Sequence, residues 1–103
     1  MKKLVYSLSV FALFLLFSCG QSTDVVDSGT YQGTISEVEP EKTEIYVKTD
    51  DGKTLELYFT DQTTLTKGGV DVEFSQLGEG QTVEVEVEKV GQRLDPIAVR
   101  ILE

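Results

Sequence analysis

"TEIYVKTDDGKTLELYFT", residues 43–60, decides the fold. Ile45 and Val47 alternate with Glu44, Tyr46 and Lys48, and Leu55, Leu57 and Phe59 alternate with Glu56, Tyr58 and Thr60. A period of two marks strands with one inward face. Between the runs, Asp50-Asp51-Gly52 forms a three-residue hairpin loop in which Gly52 takes the left-handed conformation of a bulged turn. That loop pairs Thr49 with Lys53, Val47 with Leu55 and Ile45 with Leu57, placing apolar residues opposite each other. A two-residue loop would set Val47 against Glu56, and is rejected.

The same period extends outward in both directions. "TVEVEVEKV" (82–90) turns Val83, Val85 and Val87 inward and Glu84, Glu86 and Glu88 outward. "PIAVRIL" (96–102) places Ile97, Val99 and Ile101 on one face, and Pro96 suits a strand start, where no ladder donor is lost. In "YQGTISEV" (31–38), Tyr31, Gly33 and Ile35 share a parity that Val38 breaks, so a bulge is expected near Ser36. "VDVEFSQLGEGQ" (70–81) reads as a short helical turn capped by Ser75, with Phe74 and Leu77 as plugs and Gly78 and Gly80 ending it. Five strands with that turn between the third and fourth predict an all-β fold, a small five-stranded closed barrel of the OB kind. An open β-meander or sandwich is the alternative. About 73 orderable residues bury only ~60% of their unfolded surface, so closure also removes vulnerable edges.

Ahead of the barrel, Lys2-Lys3, the apolar run Leu4 to Phe17 and Ser18-Cys19-Gly20 have the layout of a signal peptide. The run is about 14 residues, short of the ~20 that a membrane-spanning helix needs. Leu16-Phe17-Ser18-Cys19 resembles the lipobox of bacterial lipoprotein signal peptides, although Phe17 departs from the usual small or aliphatic residue. The resemblance implies cleavage before Cys19, a diacylglyceryl group on its thiol and an acylated amino group. Two or more acyl chains hold a protein stably where one does not. Gly20 after the cysteine resembles lipoproteins sent to the outer membrane, so the expected location is the cell envelope, facing the periplasm or the surface. The expected organisation is a lipoprotein signal peptide at 1–18, the lipidated Cys19 and a flexible tether at 19–29, and the barrel at 30–103. "GQSTDVVDSG" (20–29) is polar and without apolar period; ten such residues reach roughly 17 Å.

Within the barrel, Gly33-Thr34-Ile35, Thr60-Asp61-Gln62-Thr63-Thr64 and the segment from Ser75-Gln76-Leu77-Gly78 to Val83-Glu84-Val85 resemble small, uncharacterised OB-like domains of the bacterial envelope. That resemblance implies a fold and carries no activity.

Composition excludes several function classes. From Cys19 onward, seven basic residues stand against eighteen acidic ones, a balance of −11 that repels nucleic acid and anionic lipid. The chain has no histidine, and Cys19 is its only cysteine, so the commonest general base and a free nucleophilic thiol are both missing. No catalytic set is found, an enzyme is not expected, and no cofactor is implied. Glu84, Glu86 and Glu88 stand ~6.6 Å apart along their strand, too far for neighbours to share one cation, and read as a solvated face. Asp50-Asp51-Gly52 lacks the alternating ligands of a calcium loop, so no metal site is assigned.

On the outer face of the hairpin, Tyr46 stands opposite Glu56 and Glu44 opposite Tyr58, so the two tyrosines are diagonal neighbours. OB folds bind ligands on this face. Tyr46, Tyr58 and Lys48 are therefore the candidate ligand contacts, for a protein or glycan rather than nucleic acid, since base stacking wants more cations than Lys48 and Lys53 provide. The functional expectation is a lipid-anchored binding module; a structural accessory subunit or a weak divalent-cation binder are the alternatives.

Overall fold

A computed structural model describes residues 22–102. Its strands are β1 (Gly29–Glu39), β2 (Glu44–Thr49), β3 (Thr54–Tyr58), β4 (Thr64–Lys67), β5 (Val70–Asp71), β6 (Thr82–Val90) and β7 (Arg93–Ile101). They form one sheet in the order β3-β2-β1-β6-β7-β4-β5. The fold is all-β and OB-like, but seven strands replace the expected five. The two additional strands are β4 and β5, the latter within the stretch expected to be a helical turn: β3 pairs with β2 and stops at Tyr58, while β4 pairs in parallel with β7 and antiparallel with β5. Between β3 and β4, Thr60 and Thr63 close a tight corner, the Thr63 N–H donating to the Thr60 carbonyl at 3.0 Å and the Thr60 N–H to Thr63 Oγ1 at 3.0 Å. The chain bends through that corner to carry the sheet round. The ladder itself does not close, and among the described residues β3 is left as an edge facing β7.

The hairpin register is the one that its loop length requires. Ile45 pairs with Leu57 and Val47 with Leu55, all four fully buried, and Gly52 has φ +88°. Val83, Val85 and Val87 meet Ile35, Leu65, Leu77, Val99 and Ile101 in a single apolar core. Burying each such side chain contributes about 1.5–3 kcal/mol, and the core holds thirteen of them.

The first strand breaks where its parity breaks. Its pairing with β2 shifts between Ile35 and Glu37, so Ser36 is the bulged residue. Gly33 lies where β1 crosses β2: a Cβ there would collide with the Lys48 carbonyl and come within 2.9 Å of Val47 Cγ1. No larger residue fits that crossing.

Three local expectations are corrected. β7 starts at Arg93 rather than Pro96, and its register with β6 shifts so that Val87 faces Pro96 and Glu86 faces Ala98. Ile97 is thereby bulged outward and exposed while Pro96 is buried, since a bulge is where a strand tolerates a residue with no N–H. The helical turn is a 3₁₀ turn, Phe74–Gln76, preceded by Glu73; Ser75 lies inside it and caps nothing. Gln81 fastens the turn instead, donating from Nε2 to the Gln76 carbonyl and accepting from the Gly78 N–H, both at 2.9 Å.

Candidate functional site

The outer face of β2 and β3 is not the evenly solvated surface that its alternation predicts. Glu44, opposite Tyr58, is fully buried. Glu56 and Tyr58 stand beside it, yet neither of its carboxylate oxygens has a hydrogen-bond partner among the described residues. Burial, and then the neighbouring Glu56, push the Glu44 carboxyl above its ordinary 4.5, because a charged form would sit unsolvated beside a second acid. Tyr46 is half-buried, and its hydroxyl donates to Glu56 Oε2 at 3.4 Å. Burial and then the Glu56 and Glu44 carboxyls push its phenol upward. Tyr58 is 44% exposed, and the adjoining Glu44 carboxyl, followed by burial, raises it to about 12. Both phenols therefore stay neutral hydrogen-bond donors at physiological pH.

Tyr46 and Tyr58 thus share one neighbourhood with Glu44 and Glu56. Lys48 is exposed and lies towards the other end of the hairpin, opposite Thr54 on β3 and Thr34 on β1. Sequence reasoning placed the tyrosines together and missed the burial of Glu44 beside them.

Beside Tyr58, the gap in the ladder opens as a cleft of about 160 Å³. Glu56 and Tyr58 form one wall, Gln92, Arg93 and Leu94 another, and Thr23, Asp24 and Val25 a third. The third wall belongs to the stretch expected to be a flexible tether, of which residues 22–29 are described. Asp24 is joined to the edge of β3 twice: its N–H donates to the Thr54 carbonyl at 2.8 Å, and its Oδ2 accepts from the Thr54 N–H at 3.0 Å. Further along, Val26 packs on the core, Tyr31 Oη donates to the Asp27 carbonyl at 2.7 Å, and Ser28 Oγ accepts from the Lys89 N–H at 2.8 Å. Residues 24–28 are held to the barrel and shield its open edge. The pair Val25-Val26 in an otherwise polar stretch was the available signal. Cys19 lies outside the described residues.

The other acidic row behaves as its pattern predicts. Arg100 bridges Glu84 at 3.0 Å and Glu86 at 3.4 Å on a partly exposed face. The Asp51 carboxylate is drawn into the hairpin turn by Thr49 Oγ1, which holds its pKa below the ordinary 3.8. Among the described residues, no group of three or more His, Cys, Asp or Glu side chains is placed to hold a metal ion. A second, more open cleft of about 290 Å³ lies where β4 and β5 meet the 3₁₀ turn, with Phe59 and Phe74 edge to face at 5.0 Å. Sequence reasoning saw Phe74 only as a plug; its partner across the chain is set by the corner after β3.

No family model and no curated protein matches the chain. Solved structures do. A silver(I)-bound CusF from Escherichia coli superposes with a TM-score of 0.59 at 14% identity, covering 75% of this chain and 94% of that one. A copper(II)-bound variant of CusF gives the same values, and apo-CusF gives a TM-score of 0.58 at 14% identity, covering 75% and 89%. The likeness is one of fold. No helix among the described residues is long and apolar enough to cross a membrane.

Proposed function

We propose that the protein is a lipid-anchored binding module of the bacterial envelope, joined to a membrane through Cys19 and meeting a protein or glycan partner on the outer face of β2 and β3. The observation that carries the reading is the Tyr46–Tyr58 pair with its adjoining cleft: neutral phenols, a half-exposed ring and charged groups at the rim from Glu56 and Arg93. A surface of that kind combines apolar contact area with orienting hydrogen bonds. Lys48 extends the same face away from the cleft.

Two experiments test the two halves. Cys19→Ser leaves an unlipidated, uncut precursor in membrane fractionation; normal processing of that variant defeats the anchor. The Tyr46→Ala/Tyr58→Ala variant, with folding verified by circular dichroism, loses the envelope partner captured by wild type; unchanged capture defeats the binding face.

The unpartnered Glu44 carboxyl supports a second reading, a weak site for a hard cation shared with Glu56. The copper and silver ions of the CusF structures do not transfer to this chain. Soft ions select thiolate, thioether and imidazole ligands, and this sequence offers no histidine, Met1 as its only methionine and Cys19 as its only cysteine. Calcium titration followed by melting temperature decides: a rise that Glu44→Gln abolishes supports the cation, and no shift at millimolar calcium removes it.

A further inference from the structure

We infer that the cleft beside Tyr58 takes an arginine side chain, so that the partner met on the β2–β3 face is a protein presenting a basic segment. The inference rests on the binding-face reading and names the chemistry which that face recognises.

Charge comes first. Arg93 is the only cation among the residues lining the cleft, and Asp95 already holds it through two bonds, Nε to Oδ1 at 2.8 Å and Nη2 to Oδ2 at 3.4 Å. Asp24 and Glu56 belong to the other two walls, and neither makes an ion pair among the described residues. Asp24 Oδ2 accepts the neutral Thr54 N–H at 3.0 Å, and Glu56 Oε2 accepts a long bond from the Tyr46 hydroxyl at 3.4 Å. Two carboxylates therefore border a space of about 160 Å³ without a counter-charge of their own. Beside Tyr58 and Glu56, Glu44 is fully buried with neither oxygen partnered among the described residues. A buried carboxyl left in that state is stabilised by a positive charge brought close to it.

Backbone acceptors join the carboxylates. The Thr49 N–H donates to the Lys53 carbonyl and the Phe59 N–H to the Thr43 carbonyl, so residues 53, 55, 57 and 59 turn their polar backbone toward β2. Thr54, Glu56 and Tyr58 turn theirs to the open edge. Asp24 occupies Thr54, while among the described residues nothing bonds to the carbonyls of Glu56 and Tyr58 on that side.

A guanidinium fits this set. It is planar, carries five N–H donors and no acceptor, stays charged at physiological pH, and stacks on an aromatic face such as the half-exposed ring of Tyr58. An ammonium presents its three donors from a single point, and so reaches carboxylates and edge carbonyls on separate walls less well. A second copy of this chain is repelled by its own net charge of −9. An uncharged glycan leaves both carboxylates without a counter-charge.

The probes are the peptide acetyl-Gly-Arg-Arg-Gly-amide and its Lys-Lys and Glu-Glu counterparts, titrated into isotope-labelled, full-length, cell-processed protein in non-ionic micelles and read by amide chemical shifts. The arginine peptide is expected to move the amides of Glu56, Tyr58 and Leu94 saturably, with roughly threefold tighter binding than the lysine peptide, and the glutamate peptide to move none of them. Glu56→Gln keeps an acceptor for Tyr46 and should weaken the arginine peptide roughly fivefold, whereas Glu86→Gln should change it less than twofold. Gln92→Trp, which fills the cleft from an exposed position, takes the place of Glu56→Gln if that variant disturbs the fold. Shifts centred on Glu84 and Glu86, no saturable shift at the cleft, equal binding of the arginine and lysine peptides, or unchanged binding in the cleft variant overturns the arginine pocket. The binding face survives that result if Tyr46→Ala/Tyr58→Ala still loses the envelope partner; capture of the partner by that double variant removes face and pocket together.

Discussion

The β2–β3 and β6–β7 hairpins carry the same alternation of acidic and apolar residues, and the two acidic rows meet opposite fates. Glu84 and Glu86 stay partly exposed and share Arg100 across the sheet, whereas Glu44 is fully buried with neither oxygen paired among the described residues. The period of a strand fixes which face a side chain takes; it does not say what covers that face. β6 lies inside the sheet with a plain outer surface, while β3 is the edge where the ladder stops and where residues 23–25 and the start of β7 close in.

The largest effect expected lies beneath both faces. Leu57→Ala removes a fully buried side chain of β3 and should cost about 2–5 kcal/mol by chemical denaturation. A cost under ~1 kcal/mol would mean that the β3 edge is not part of the cooperative core.

The next sharpens the contrast between the acidic rows. A carboxyl whose folded-state pKa lies above its unfolded value binds protons more tightly when folded, so the folded state is favoured below pH 4.5 and loses stability as pH rises through the raised value. Each unit of upward shift contributes about 1.4 kcal/mol to that loss. Glu44→Gln should flatten this fall as pH rises above 4.5 in melting-temperature profiles, while Glu86→Gln should keep it. Identical profiles for wild type and Glu44→Gln would break the contrast.

Releasing the strap comes third. Asp24→Ala removes the side-chain acceptor of the Thr54 N–H and should cost about 1 kcal/mol, with faster amide exchange at Thr54 but not in β6. Unchanged exchange at Thr54 would show that the backbone bond holds the strap alone. The smallest effect is on the solvated row: Arg100→Gln should cost roughly 0.2–1 kcal/mol, diminishing with added salt.

Much of the barrel was legible because its physics is local. The three-residue loop forced the register of β2 and β3, the broken parity of "YQGTISEV" located the bulge at Ser36, and three valines fixed the inner face of β6. What escaped depends on contacts distant in sequence. The break after Tyr58 reflects the demand that the chain serve β2 first and β7 afterwards, and Ile97 turns outward because Pro96 needs a bulge opposite Val87. At the candidate site, pairing across the hairpin put Tyr46 and Tyr58 together from sequence alone. The burial of Glu44 and the cleft beside Tyr58 were not legible, since Asp24 meets Thr54 from thirty residues away.

The central claim, that the β2–β3 face is the working surface and the β6 row is structural, is tested most directly by photocrosslinking in intact cells. With p-benzoylphenylalanine at position 48 or at position 86, the account predicts discrete adducts from position 48 and none from position 86. Adducts from position 86 with none from position 48 would contradict it.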